Sequence, residues 1–217
     1  KLLSDYIEKG ITASGKDTLV GVAAAMAVLE VNASMGQVIA APTAGSCGII
    51  PGVLIPLEKR LGSDNKKIIN AIFTASAIGL IVTQNATVSG AEGGCQAETG
   101  TAAAMAAAAG VELMGGSPEE SIHAAAMTIK NILGLVCDPI AGLVECPCVK
   151  RNAIGTTNAL ISIDMAMAGI KSVIPFDEVV DAMYRVGKSL SPDLKETAMG
   201  GLAATPTGKR IMKEIYG

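Results

Sequence analysis

The chain has no tryptophan, two phenylalanines and three tyrosines in 217 residues, although half of those residues are apolar. A core without aromatics has to be filled by Ala, Ile, Leu, Val and Met. Small side chains let helices approach closely, whereas the inner faces of a β-sandwich want β-branched and aromatic residues. The expected fold class is therefore all-α. The lack of stacking aromatics, together with the lack of a basic stripe, gives no expectation of nucleic acid as a partner. There is one histidine, no CxxC and no H-E-x-x-H. That excludes a histidine-based zinc site and a Ser-His-Asp triad. The longest clean apolar run, 71–82, is interrupted by Thr74, Ser76 and Gly79. It is shorter than the roughly 20 residues of a bilayer span, so no membrane partner is expected. The first residues, KLLSDYIEKG, have neither an initiator Met nor a signal-peptide pattern. The expectation is a cytoplasmic protein with further sequence upstream of Lys1.

What is present is helical period. It predicts helices over about 16–31, 65–82, 99–114, 153–170 and 177–186. The best-marked start is Ser117-Pro118-Glu119-Glu120, where Ser at the N-cap, Pro at the first helical position and Glu at the third form a capping box. That helix should run to about Leu133, with Gly134 as its stop. No stretch alternates long enough to make a strand. The tail Thr207-Gly208-Lys209 is no phosphate loop, because Ala203 and Arg210 stand where that motif needs Gly and Ser or Thr. The expectation is one compact helical domain over 1–217, with glycine-rich loops forming a site.

Chemistry concentrates in three loops. They are Ala41-Pro42-Thr43-Ala44-Gly45-Ser46-Cys47-Gly48, Ser89-Gly90-Ala91-Glu92-Gly93-Gly94-Cys95-Gln96-Ala97-Glu98, and the stretch from Cys137-Asp138-Pro139 to Cys146-Pro147-Cys148 with Arg151 and Asn152 behind it. Five cysteines without an export signal argue for structural or metal-binding thiols rather than disulfides. Thiolates without histidines suit iron–sulfur or zinc, while an apolar helical protein also buries inert cysteines. Cys95 lies just before the Ala-rich helix, where free N–H groups and the helix dipole favour a thiolate. If Cys146-Pro147-Cys148 is extended, its two thiols point to opposite sides and only one faces a shared metal; spacing does not say which.

The series PTAGSCGIIPG, GAEGGCQAE and LGLVCDPIAGLVECPCVKRN, in this order, resembles the α subunit of the oxygen-sensitive bacterial L-serine dehydratases. The resemblance runs from about Gly10 to the end and is closest to the two-subunit form. It implies a [4Fe-4S] cluster bound through Cys95, Cys137 and Cys148, with Cys47 and Cys146 as free thiols. It also implies L-serine as substrate, a serine dehydratase β subunit as partner, an oligomeric assembly and no pyridoxal phosphate. Three ligands leave one iron open to act as a Lewis acid on the serine hydroxyl. Single-chain members can end in a cysteine that caps the cluster; this chain ends Lys213-Glu214-Ile215-Tyr216-Gly217. A Ser/Thr-Gly-rich motif that helps the family recognise serine would lie upstream of Lys1.

The substrate carboxylate is expected at Thr43, Gly45 and Ser46, with Ser89 and Gly90 in a similar role. Arg151 binds a carboxylate or pairs with Glu145, and Asn152 orients substrate or caps the helix that follows. Glu92, Glu98 and Asp138 are candidate bases only if buried, and no general base is assigned. His123, inside the capping-box helix, reads as a surface or packing residue. The rival functions are a related iron–sulfur lyase such as a cysteine desulfidase, a non-catalytic electron carrier, and a helical scaffold with buried cysteines.

Overall fold

The computed structural model describes residues 1–217 and is all-α. Its helices are α1 (Leu2–Ile7), α2 (Lys16–Ala33), α3 (Ile49–Leu61), α4 (Asn65–Asn85), α5 (Gly90–Gly93), α6 (Cys95–Leu113), α7 (Pro118–Lys130), α8 (Cys148–Met167), α9 (Phe176–Ser189) and α10 (Pro206–Tyr216). The only β pairing is a single bridge between Cys137 and Lys195.

Helix α6 is the axle. Its alanines at 102–104 and 106–109 are completely buried, and along its whole length only Glu98 and Glu112 escape full burial. Alanine is the best helix former and adds almost no width, so α3, α4, α7, α8 and α9 all pack on this one helix. The larger side chains that fill the space come from its neighbours, among them Ile49, Val53, Ile78, Val82, Ile129, Ile163 and Met183.

Helix α3 begins directly after the first glycine loop, in a stretch to which the sequence assigned no element. Pro51 sits in its first turn, where an N–H has no helical partner to lose. Pro56 lies inside it and removes the N–H that the Gly52 carbonyl would otherwise receive. The close fit of α2 against α3 rests on glycine: a Cβ on Gly21 would stand 2.5 Å from the Gly52 carbonyl oxygen, and one on Gly48 would overlap the Ala25 carbonyl. Helix α10 was also absent from the sequence reading. Its start is nonetheless marked, because the Thr205 hydroxyl accepts the Gly208 N–H at 3.1 Å and Pro206 occupies the first helical position.

Two boundaries matter for function. Helix α6 begins at Cys95 and not at 99, and α8 begins at Cys148 and not at 153. The capping box at Ser117 and Glu120 forms as expected, and after Lys130 the chain turns through Gly134 (φ +85°). The apolar run 71–82 sits in a helix that continues to Asn85, and α4 is by length and composition able to cross a membrane. In the fold it packs on α6 through Ala71, Ala75, Ile78 and Val82, and it turns Ile69, Ile72, Phe73 and Leu80 outward.

Candidate active site

The N-terminal ends of α6 and α8 each begin on a cysteine. Cys95 and Cys148 are the first helical residues, so their sulfurs lie where free N–H groups and the positive end of the helix dipole favour negative charge. Cys137 is held on an extended stretch after α7. Its N–H donates to Leu194 O at 2.8 Å, and its carbonyl accepts the Glu196 N–H at 2.7 Å. All three thiols are free and nearly inaccessible, at 1 %, 2 % and 6 % exposure for Cys95, Cys137 and Cys148.

The ligand atoms of Cys95, Cys137 and Glu98 lie within 4.8 Å of one another. Glu98 follows Cys95 by three residues, less than one helical turn, which puts both on one face of α6. Cys148 lies outside this tight group but within the field of Cys95 and Glu98. The neighbouring Cys137 thiol draws the Cys95 thiol below its ordinary value, opposed by burial and aided by the Arg151 charge. The same contact, with burial, raises Cys137. Burial first, then the charges of Cys95 and Glu98, push Cys148 up to about 12. Burial also raises the Glu98 carboxyl, against a hydrogen bond from the Thr43 hydroxyl.

Arg151 braces the thiols from behind. One guanidinium nitrogen donates to Cys95 Sγ at 3.2 Å and to Val136 O at 2.9 Å, and the other reaches Asp138 Oδ1 at 2.7 Å. The second oxygen of Asp138 accepts the Leu202 N–H at 2.7 Å. Arg151 therefore pairs with Asp138; Glu145 is exposed and takes no part. Asn152 is fully buried in the second turn of α8, so it is not the cap of that helix. Its amide donates to Gly45 O at 2.7 Å and to Cys148 O at 3.0 Å, and its oxygen accepts the Gly48 N–H at 3.1 Å. Those bonds clamp the Thr43–Gly48 loop onto α8.

The glycine loops then close around Glu98. Thr43 and Ser46 share a hydroxyl contact at 3.0 Å. A Cβ on Gly45 would stand 2.5 Å from Glu98 Oε1, and one on Gly90 would stand 3.1 Å from Glu98 Oε2 and 3.0 Å from Cys137 Sγ. A side chain at Gly45 would push the Glu98 carboxylate aside, and one at Gly90 would crowd both Glu98 and Cys137. Ser89 precedes the short α5 and makes no capping bond there.

Of the residues read from sequence, Thr43, Gly45, Gly90, Cys95 and Cys137 meet around one carboxylate. Ser46, Arg151 and Asn152 support them. Cys47 is buried at the wall of a separate apolar cavity of about 630 Å³ shared with Ile50 and Met105. Cys146 is half-buried in a turn, so the Cys146–Cys148 stretch is not the extended strand that the alternation argument assumed. Glu92 is exposed and paired with Lys188 at 2.7 Å, and His123 lies on α7 beside Glu119 at 3.6 Å. The sequence reading missed the 194–202 segment altogether. Glu196 there adopts φ +63°, rare for a non-glycine residue, and its carboxylate faces Gly90.

Comparison with known proteins places the chain in a family. A family model described as "Serine dehydratase alpha chain" matches residues 4–203. The "Probable L-serine dehydratase, alpha chain" of Bacillus subtilis (strain 168) is 55% identical over 215 residues, covering 99% of this chain and 72% of that protein. The "L-serine dehydratase, alpha chain" of Peptoniphilus asaccharolyticus is 51% identical over 211 residues, 97% of this chain and 72% of that protein. "L-serine dehydratase 1" of Escherichia coli (strain K12) is 44% identical over 181 residues, 82% of this chain and 40% of its own length. The matched residues include every loop that lines the site, from Thr43 to Leu202, and on that extent of likeness the chain belongs to the serine dehydratase alpha chain family.

Proposed function

We propose that this chain dehydrates L-serine to pyruvate and ammonia, as the α subunit of a two-subunit enzyme whose [4Fe-4S] cluster is held by Cys95, Cys137 and Cys148. The observation that carries the reading is the meeting of two buried thiols and a half-buried carboxylate within 4.8 Å, walled by glycine loops, in a chain of this family.

The donor set fits such a group. Three buried thiols without histidine suit iron–sulfur ligation. Two of them stand at helix N-termini, and Arg151 adds a positive charge against Cys95, so thiolates and an anionic cluster are favoured there. When bound, the cluster supplies a Lewis acid, at an iron without a protein ligand, that polarises the serine hydroxyl.

The chain's own residues do the rest. The hydroxyls of Thr43 and Ser46, with the Gly45 loop, orient the substrate, and Ser89 and Gly90 form the facing wall. Arg151 and Asn152 act at one remove, because their polar atoms already hold Cys95, Asp138 and the Gly45–Gly48 loop in place. The near-complete burial of the thiols keeps water from the reacting centre. Loss of the α-proton and of the hydroxyl as water gives 2-aminoacrylate. Its imine tautomer takes up one water and releases ammonia and pyruvate. The β subunit has a surface on which to dock: Ile69, Ile72, Phe73 and Leu80 form an uncharged apolar stripe on α4, with Phe73 70 % exposed.

Anaerobic reconstitution of the chain with iron and sulfide in complex with a serine dehydratase β subunit, followed by a pyruvate assay with L-serine and a sulfide assay with L-cysteine, tests the proposal. Iron binding and pyruvate formation are expected, with loss of iron in Cys95→Ser, Cys137→Ser and Cys148→Ser and retention in Cys47→Ser and Cys146→Ser. Sulfide release from cysteine without pyruvate from serine would turn the assignment to a different lyase.

A further inference from the structure

Glu98 has no cation. No ion pair of the chain includes it, and its one hydrogen bond is the Thr43 hydroxyl on Oε1. The nearest positive charge, Arg151, is engaged by Asp138, Val136 and Cys95. Glu196 brings a second carboxylate to the same side of Gly90, 3.6 Å from where a Cβ would stand, and no ion pair includes it. The thiols beside Glu98 become negative when they bind metal. A carboxylate in such surroundings pays the penalty of desolvation without a compensating charge.

The compensation has to come with the substrate. Glu98 Oε2 carries no hydrogen bond in the structure, and the bare backbone at Gly90 leaves that oxygen approachable by a small group. An α-amino acid at neutral pH presents such a group, a cation with three donors. We propose that the Glu98 carboxylate, oriented by the Thr43 hydroxyl, receives the α-ammonium of the substrate and thereby selects 2-amino acids over 2-hydroxy acids of the same shape. This rests on the reading of the site as a serine dehydratase.

Three features favour this role over that of a metal ligand. Thr43 holds Oε1, fixing the carboxylate plane before any ligand arrives. The three thiols already supply the donors that an iron–sulfur group takes. The loops at Gly45 and Gly90 approach the carboxylate closely, one at each of its oxygens.

The test uses the reconstituted enzyme and Glu98→Gln, which keeps the size of the side chain and an acceptor for Thr43 but removes the charge. KM for L-serine should rise on the order of 30-fold or more, the loss that follows when one partner of a desolvated charge pair is removed. The kcat should fall less than tenfold, with iron and sulfide content unchanged. Inhibition by glycerate, which carries a hydroxyl where serine carries its ammonium, should be no weaker than in the unaltered enzyme. Thr43→Val should raise KM in the same direction by a smaller factor, and it stands in if Glu98→Gln fails to fold. An unchanged KM with a collapsed kcat, a loss of iron, or a parallel weakening of glycerate and serine overturns the assignment. An unaltered enzyme that holds its iron but leaves L-serine intact overturns the dehydratase reading itself, and this inference with it.

Discussion

Removing Asp138 should unfold the site from behind. Asp138 and Arg151 form a buried pair at 2.7 Å, with side chains 4 % and 11 % exposed. Asp138→Ala leaves the guanidinium buried with no carboxylate, a change that costs about 3–5 kcal/mol in comparable buried pairs. The same substitution orphans the Leu202 N–H, and it leaves a void beneath Gly201, which packs directly on the Asp138 side chain. For a chain of this size each kcal/mol moves the midpoint by about 2–4 °C, so the expected drop in Tm is about 6–20 °C. Circular dichroism on the metal-free chain measures it. A double variant, Asp138→Ala with Arg151→Met, should recover part of the loss, because it removes the unpaired charge as well. Limited proteolysis should cut first between 190 and 204, the segment that Asp138 and Cys137 tether. A loss under about 1 kcal/mol, or strict additivity of the two substitutions, would refute the claim that this pair anchors the site.

Gly48→Ala should destabilise the fold by about 1–3 kcal/mol in chemical denaturation, because its Cβ meets the Ala25 carbonyl, backbone against backbone, between α2 and α3. In contrast, Ser117→Ala removes a capping-box acceptor on the surface and should cost about 1 kcal/mol without touching activity. For the metal-free chain, Glu98→Gln should raise the Tm at neutral pH. The folded state holds the Glu98 proton more tightly than the unfolded chain does, so stability is greatest below the ordinary carboxyl value of 4.5 and is lost as pH rises toward the raised folded value. The advantage of the Gln variant should therefore vanish in acid, and thermal melts of both proteins across the pH range read this directly.

The sequence carried the fold class because the missing aromatics and the alanine run both act through one variable, the distance between helix axes. It carried the first two glycine loops because glycine leaves room for the close approaches to Glu98 seen at Gly45 and Gly90. It did not carry α3, a helix with Pro51 near its start and Pro56 inside it. Their tolerance comes from the position of Pro51 in the first turn and from the packing of α3 between α2 and α6. The role of Glu98 was within reach. Three residues separate it from Cys95, and a helix started at Cys95 puts the two on one face; with the start placed at 99 that relation disappears. The partnership of Arg151 with Asp138, and the arrival of Glu196, depend on contacts across 13 to 106 residues of chain that no local pattern encodes.

Charge explains why these pieces belong together. Around the thiols stand two unpaired carboxylates, Glu98 and Glu196, and one guanidinium whose charge is already answered by Asp138. The metal-free site is therefore short of positive charge, and it becomes shorter as the thiols ionise. A fold selected for stability alone would replace Glu98 with an uncharged residue of the same length, since the Thr43 hydrogen bond survives that change. Retaining the carboxylate makes the empty protein less stable and, in the role proposed for Glu98, makes an arriving ammonium group more welcome. The energy that the folded chain gives up by burying Glu98 uncompensated is then recovered on binding, which couples occupancy of the site to the stability of the helices that build it.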